Sequence, residues 1–198
     1  NGAARRRDAR AAGGRIVRRL LLIGSGGAGK STLARDIAAR TGLPLIHLDA
    51  LYWKAGWVET PSAEWRDTVV ELLQQDRWVM DGNFGGTLDL RLAACDTVIF
   101  LDLPPALCLW RVIKRRMRHR GVPRPDMSPG CLERLDIGFL LWIACYRLRR
   151  RKQVLETLAR SAKQGVRTVI LDSDAAVDAF TATLPAGSTA SRLSSDLA

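Results

Sequence analysis

Runs of apolar residues and amphipathic stretches alternate along most of the chain. The apolar runs predict buried β-strands at residues 17–23, 43–49, 78–81, 97–103 and 167–172. Between them, apolar positions at helical spacing predict α-helices at residues 30–40, 61–75, 106–120, 131–160 (either continuous or broken) and 175–184. Because strands that alternate with helices pair in parallel through right-handed crossovers, this pattern predicts an α/β three-layer sandwich with five strands.

Three segments lack this periodicity. Residues 1–14 are small and charged and predict a disordered basic arm, and residues 185–198 are rich in Ser and Ala and predict a frayed tail. Prolines and glycines in residues 121–130 (GVPRPDMSPG) predict a loop. A chain of 198 residues is the size of one domain, so residues 15–184 are predicted to form a single folded unit.

The positive charge is concentrated in two segments. The chain carries a net charge of +11. Residues 1–19 hold seven arginines and one aspartate, and residues 110–152 hold thirteen lysines and arginines against three acidic residues. The second block is typical of a site for an anion, which can be a polyphosphate, a nucleic acid or a lipid surface.

Cysteine usage and hydropathy bear on the compartment. The four cysteines form no CxxC pair and there are two histidines, which argues against a zinc site and for a reduced, cytoplasmic protein. No secretory signal is visible. The apolar run at residues 137–146 is shorter than the roughly twenty residues that span a bilayer. It predicts a buried helix with a basic end, and a helix at a membrane interface is the alternative.

A glycine-rich segment, GSGGAGKST, lies between the first predicted strand and the first predicted helix. It fits GxxxxGK[ST], the P-loop pattern, whose backbone amides and helix N-terminus bind phosphate oxygens. We expect Lys30 to bridge the β- and γ-phosphates of ATP and the Ser31 hydroxyl to bind Mg²⁺. The predicted ATP-binding residues are Gly24, Gly26, Gly27, Ala28, Gly29, Lys30, Ser31 and Thr32.

Two further features are suited to phosphoryl transfer. Asp81 ends a predicted strand and is expected near the metal, although it can equally begin a simple DG turn. Arg111 and Arg115 share one helix face and precede a predicted lid at about residues 116–131, which contains Arg120 and Arg124. Arginines on a closing lid stabilise the transferring phosphoryl group, whereas the alternative is a solvated basic face.

Three tryptophans, Trp53, Trp57 and Trp65, follow the second predicted strand. They can stack on a base, or they can belong to the core and its rim.

Several motifs taken together resemble one bacterial group of small P-loop proteins. They are GSGGAGKSTLAR, HLDALYWKAGW, WVMDGNF, RLAACDTVIFLDLP, RVIKRRMRHRG, RPDMSPGCLE and FLLWIACY, in order over residues 16–184. The group is labelled DNA topology modulation proteins and is similar to adenylate kinases. The resemblance implies a nucleoside-monophosphate-kinase fold with a parallel sheet in the order 2-3-1-4-5. It also implies that Gly29, Lys30, Ser31 and Thr32 hold the triphosphate and Mg²⁺.

The resemblance extends to individual residues. It implies that Asp81 is the DG carboxylate of the kinases, that Arg111 and Arg115 are the paired arginines at the start of the lid, and that Asp49 is a substrate-facing carboxylate. Asp49 can instead cap the next helix or join the Mg²⁺ water shell.

The chain also departs from the adenylate-kinase pattern. Adenylate kinases continue DG with FPR, whereas residues 81–85 here read DGNFG, and the next cation is Arg91. This favours an uncharged or cationic hydroxyl-bearing acceptor over a nucleoside monophosphate.

The sequence therefore predicts an ATP-dependent phosphotransferase (kinase) that uses ATP and Mg²⁺ and acts on a small-molecule acceptor. The alternative is a nucleotide-dependent regulatory or DNA-associated P-loop NTPase, in which the basic arm and the lid contact phosphodiesters. The sequence contains no helix-turn-helix, RRM or zinc pattern that would read bases.

Overall fold

The computed structural model describes residues 17–118, 127–131 and 136–185. The predicted basic arm at residues 1–14, half of the predicted lid with Arg120 and Arg124, and nearly all of the predicted tail lie outside these residues.

A five-stranded parallel sheet forms the centre of the molecule. The strands of the described residues, in chain order, are β1 (Arg19–Gly24), β2 (Leu45–His47), β3 (Trp53–Lys54), β4 (Val58–Glu59), β5 (Trp78–Asp81), β6 (Thr97–Leu101) and β7 (Arg167–Leu171). The central sheet has the order β2-β5-β1-β6-β7, and all its pairings are parallel. Counting its five strands in chain order gives 2-3-1-4-5, so the predicted fold class and strand order are confirmed.

Helices connect the strands and cover both faces of the sheet. They are α1 (Lys30–Thr41), α2 (Leu48–Tyr52), α3 (Ser62–Leu73), α4 (Leu88–Ala94), α5 (Pro105–Arg118), α6 (Ile137–Arg149), α7 (Arg151–Lys163) and α8 (Asp174–Ala182), with a 3₁₀ turn at Gly85–Thr87. The helices predicted at residues 30–40, 61–75, 106–120 and 175–184 are confirmed with small shifts at their ends. Gly42, in a left-handed conformation, ends α1 as its sequence predicts.

The sheet separates two apolar clusters, and alternate residues of β1 belong to each. Leu20 and Leu22 pack in the cluster that includes the buried residues of α1 and α5, and Leu21 and Ile23 pack in the cluster that includes those of α3. Because both faces are covered, the central strands consist of consecutive apolar residues rather than alternating ones. This arrangement is the predicted three-layer sandwich.

The segment after β2 differs from the prediction. The strand predicted at residues 43–49 ends at His47, and the chain then turns into the short helix α2, where Leu48 is buried. A two-stranded antiparallel hairpin, β3–β4, follows and was not predicted. Its turn uses Gly56 and Trp57, both with positive φ (76° and 65°). Strands of two residues are too short to show a period-2 pattern.

The helix predicted at residues 131–160 is broken, and its predicted start is wrong. Cys131 is not helical, α6 begins at Ile137, and the break lies at Arg150. Both halves bind the buried carboxylate of Asp102, which follows β6. Arg151 Nε donates to Asp102 Oδ2 at 2.6 Å, and Arg147 Nε lies 3.3 Å from Oδ1. One carboxylate thus holds α6 and α7 against the sheet.

The helix α6 is more exposed than its apolar sequence predicts. Only Ile143 and Tyr146 are buried among its residues, so the expectation of a buried helix is wrong. None of the helices in the described ranges is long and apolar enough to cross a membrane.

Candidate functional site

The glycine-rich loop between β1 and α1 lies in close contact with α5 and α6. A Cβ atom on Gly27 would lie 2.3 Å from the carbonyl oxygen of Cys108 in α5, and one on Gly26 would lie 2.5 Å from Cζ of Phe139 in α6. At Gly27 the neighbour is the helix backbone, so only glycine allows this approach of α5 to the loop. The packing explains why the sequence needs glycine at this position in addition to any role in phosphate binding.

The N-terminus of α1 has the features of an anion site. Its N-cap residue, Gly29, makes no side-chain cap, and the first turn contains no acidic residue. The first-turn residues Lys30, Ser31 and Thr32 line a cleft of about 1350 Å³. Because the amides and the dipole of a helix N-terminus attract negative charge, this end of the cleft suits a phosphate group.

Lys30 folds back onto the loop that precedes it. Its Nζ donates to the carbonyl oxygens of Gly24 and Ser25, both at 2.9 Å. Burial lowers the pKa of Lys30, while the carboxylates of Asp49 and Asp81 raise it and the guanidinium of Arg115 lowers it further. Four of the predicted site residues therefore lie within electrostatic reach of one another.

Asp81 does not line the cleft. It ends β5, is buried, and its Oδ1 lies 2.6 Å from Nδ1 of His47, which ends the neighbouring strand β2 in the same register. The sequence analysis missed His47, although a histidine within a predicted strand, two residues before Asp49, was a usable signal. Among the described residues, no group of three or more His, Cys, Asp or Glu side chains is arranged to bind a metal.

Ser31 and Asp81 are compatible with the Mg²⁺ site of a P-loop protein. Such a site takes one hydroxyl from the protein and otherwise relies on phosphate oxygens and water. Ser31 lines the cleft and can supply that hydroxyl. Asp81 is 4% exposed and near Lys30, so it is suited to hold a metal-bound water rather than the metal itself. The assignment of both residues to the metal stays a prediction.

Arg111 and Arg115 of α5 both line the cleft. Nη1 of Arg111 lies 3.7 Å from where a Cβ atom on Gly29 would be, and Nη2 donates to Oδ1 of Asp174 in α8 at 2.6 Å. Both guanidinium groups thus belong to the site rather than to a face that only water contacts. Asp174 was missed because its proximity to Arg111 depends on the packing of two helices that are distant in sequence.

Asp49 also lines the cleft, but from the first turn of α2 and not from the end of a strand. The N-cap of α2 is His47, so the alternative that Asp49 caps this helix is wrong. The hairpin residues Trp53 and Trp57 also line the cleft, with ring centroids 5.4 Å apart. Trp65, in contrast, is buried in the core.

The hairpin also contacts the segment 127–131. Gly56 N donates to the carbonyl oxygen of Gly130 at 3.3 Å, and the thiol of Cys131 lies 3.2 Å from the carbonyl oxygen of Lys54. The end of the predicted lid therefore rests on the hairpin.

Arg91 does not reach the cleft and cannot grip an acceptor phosphate. It is fully buried, and it donates to the carbonyl oxygens of Gly82, Asn83 and Phe84 at 2.6 to 2.8 Å. Burial lowers the pKa of Arg91 to about 10. Although Arg91 is the next cation after the DG pair, it shapes the loop after β5.

Asn83, in the same loop, makes a link that the sequence did not indicate. Its Oδ1 accepts the backbone N–H of Gly24 at 2.9 Å. The loop after β5 and the glycine-rich loop are thus joined directly.

The similarities found among known proteins are to solved structures. The sequence matches no protein-family profile and no curated protein, so the DNA topology modulation label gains no support from them. Among solved structures, the fold is similar to that of the shikimate kinase from Acinetobacter baumannii in complex with shikimate, with 21% identity, a TM-score of 0.49, and 83% of this chain and 89% of that chain covered. It is also similar to the shikimate kinase from Bacteroides thetaiotaomicron, with 17% identity, a TM-score of 0.47, and 84% and 96% of the two chains covered. At these identities the similarity concerns the fold alone.

Proposed function

We propose that the protein transfers the γ-phosphoryl group of ATP to a hydroxyl-bearing small molecule. The observation that carries this proposal is the meeting of three cations and one carboxylate around a single cleft. All four side chains line the cleft: Lys30 extends from the N-terminus of α1, Arg111 and Arg115 from α5, and Asp49, within electrostatic reach of Lys30, from α2.

The cations supply charge stabilisation. The phosphates of ATP bind at the first turn of α1, and Lys30 exchanges its carbonyl partners at Gly24 and Ser25 for phosphate oxygens. Arg111 and Arg115 approach the same oxygens from α5 and neutralise charge on the transferring group. Ser31 would hold Mg²⁺, which neutralises the β- and γ-phosphates when it is bound.

Asp49 serves the acceptor. Its carboxylate accepts a hydrogen bond from the acceptor hydroxyl and takes the proton as the oxygen attacks the γ-phosphorus and ADP leaves. A carboxylate repels a phosphate group, and Arg91 is withdrawn into the core. Both observations favour an uncharged or cationic acceptor over a nucleoside monophosphate. The indole rings of Trp53 and Trp57 provide an apolar surface for its body.

The experiment is an acceptor screen with coupled detection of ADP, in the presence of Mg²⁺ and ATP. Nucleosides, sugars and amino alcohols are assayed beside AMP, CMP, GMP and UMP. We expect Lys30→Ala to reduce turnover by about 100-fold or more, since a charge placed at the transition state is lost. We expect Asp49→Asn to remove acceptor-dependent turnover while residual ATP hydrolysis remains.

Asp67→Asn, on the exposed face of α3, is the matched control and should behave like the wild type. Fast phosphorylation of nucleoside monophosphates by the wild type would refute the proposed acceptor class. Normal Mg²⁺-dependent turnover in Lys30→Ala would refute the assignment of Lys30 and the glycine-rich loop to the phosphates of ATP.

A further inference from the structure

Two neighbouring helices expose large apolar side chains. On α5, Trp110 and Met117 are 57% and 62% exposed, and on α6, Ile137, Leu141 and Leu148 are 76%, 60% and 86% exposed. Most of the large exposed apolar side chains of the described residues lie on these two helices. Isolated exposed apolar residues need no explanation, but a concentration of this kind marks an interaction surface.

The exposed residues form one stripe along each helix. Trp110, Ile113 and Met117 recur at a helical spacing of three and four residues along α5, on the side opposite its buried residues Cys108 and Val112. Ile137, Leu141, Ala144 and Leu148 recur in the same way along α6. The two helices pack against each other. We call these two stripes together the apolar face; it comprises Trp110, Ile113, Met117, Ile137, Leu141 and Leu148.

The two helices that form the apolar face carry only positive charges, although the exposed Asp136 caps the start of α6. The sequence of α5 contains five lysines and arginines, that of α6 contains two arginines, and neither helix contains an aspartate or glutamate. Lys114 and Arg118 of α5 are exposed, as are Arg149 of α6 and Arg150 next to it. A helix with an apolar stripe and flanking cations is the pattern of a helix that lies in the surface of a membrane.

We propose that the apolar face docks on an anionic lipid surface. Its apolar side chains enter the boundary between head groups and acyl chains, and the flanking cations contact lipid phosphates. A second copy of the chain is a poorer occupant, because each copy carries a net charge of +11 and the helices that would meet are purely cationic. A nucleic acid would satisfy the cations but would leave Ile137, Leu141 and Leu148 exposed to water.

Vesicle flotation with the full chain tests this proposal. The wild type should float with vesicles that contain phosphatidylglycerol, remain unbound with pure phosphatidylcholine, and be released from the first by about 1 M salt. The double variant Leu141→Ser with Leu148→Ser keeps every charge. It should lower binding to the phosphatidylglycerol vesicles by about tenfold or more per residue, since it removes only the apolar contribution.

Val70→Ser, at an exposed apolar position of α3, is the control and should bind like the wild type. The arginines that precede residue 17 are present in all three proteins and cannot produce a difference among them. Circular dichroism melts verify that the variants fold.

Three results would overturn the proposal. One is a wild type that does not float with phosphatidylglycerol. Another is a double variant that floats as well as the wild type. The third is that the wild type forms a dimer in lipid-free solution, or binds a DNA duplex, and that the double variant does not. Either outcome would assign the apolar face to a different occupant.

Discussion

Replacing Gly27 by alanine should destabilise the protein more than the same change at Gly42. Both glycines have left-handed backbones, with φ of 77° and 67°, so an alanine is strained at either position. A Cβ atom on Gly27 would also lie 2.3 Å from the carbonyl oxygen of Cys108 and 2.9 Å from Cγ2 of Val112. A Cβ atom on Gly42 would have nothing within 4 Å. The two variants therefore separate backbone strain from the contact between the glycine-rich loop and α5.

The expected magnitudes follow from these two terms. Left-handed strain costs an alanine about 1–2 kcal/mol at both positions. Overpacking against the backbone of α5 adds about 1–3 kcal/mol at Gly27 alone. In a domain of this size, 1 kcal/mol lowers Tm by about 2–4 °C. Gly42→Ala should thus lower Tm by about 2–8 °C and Gly27→Ala by about 4–20 °C.

Urea unfolding and thermal melts followed by circular dichroism measure the difference. Because the clash displaces α5, which carries Arg111 and Arg115, Gly27→Ala should also bind ATP more weakly, while Gly42→Ala should bind like the wild type. Equal losses of stability, within about 0.5 kcal/mol, would show that α5 does not rest on the loop.

Three further outcomes are expected. Arg91→Met should lower the free energy of unfolding in urea by about 3–5 kcal/mol, because buried carbonyl groups lose their donors. The control Arg66→Met, at an exposed position of α3, should change it by less than about 0.5 kcal/mol. Burial raises the pKa of the Cys95 thiol from 9.0 to about 12, so the thiol of the unfolded chain ionises first. The free energy of unfolding should therefore be unaffected below pH 9 and should fall by about 1.4 kcal/mol per pH unit above it. Cys95→Ala should flatten this slope in urea titrations, and an unchanged slope would contradict the role of Cys95 in it. Arg111→Ala should lower kcat more than it lowers the affinity for ATP in steady-state assays. Asp174→Asn removes the exposed ion pair with Arg111 and should lower the free energy of unfolding by less than about 1 kcal/mol.

Features encoded in consecutive residues were predictable. The central strands are buried on both faces, so each is an apolar run that can be recognised without its neighbours. The residues from Gly24 to Thr32 form their loop from adjacent positions, and the strand and helix around them supply the required context. The strand order came from the resemblance, because local patterns do not specify which strands pair.

Features that depend on distant residues were not predictable. His47 meets Asp81 only because β2 and β5 are adjacent and in register. A guanidinium group can bind a phosphate, and it can also donate hydrogen bonds to carbonyl oxygens in the core. For Arg91, only the path of the loop decides between these two roles. Likewise, the apolar sequence of α6 does not reveal whether other elements cover it.

The loop after β5 is held from two sides, and this bears on how such a protein can change its substrate. Asn83 binds the backbone of Gly24, and Arg91 binds the carbonyls of the same loop, so a substitution here disturbs the phosphate-binding end as well. Among the described strands, β3 and β4 pair only with each other, and they carry Trp53 and Trp57 into the cleft. Under the proposed function, an engineered change of this hairpin, together with the segment 127–131 that contacts it, should alter acceptor choice more than ATP binding.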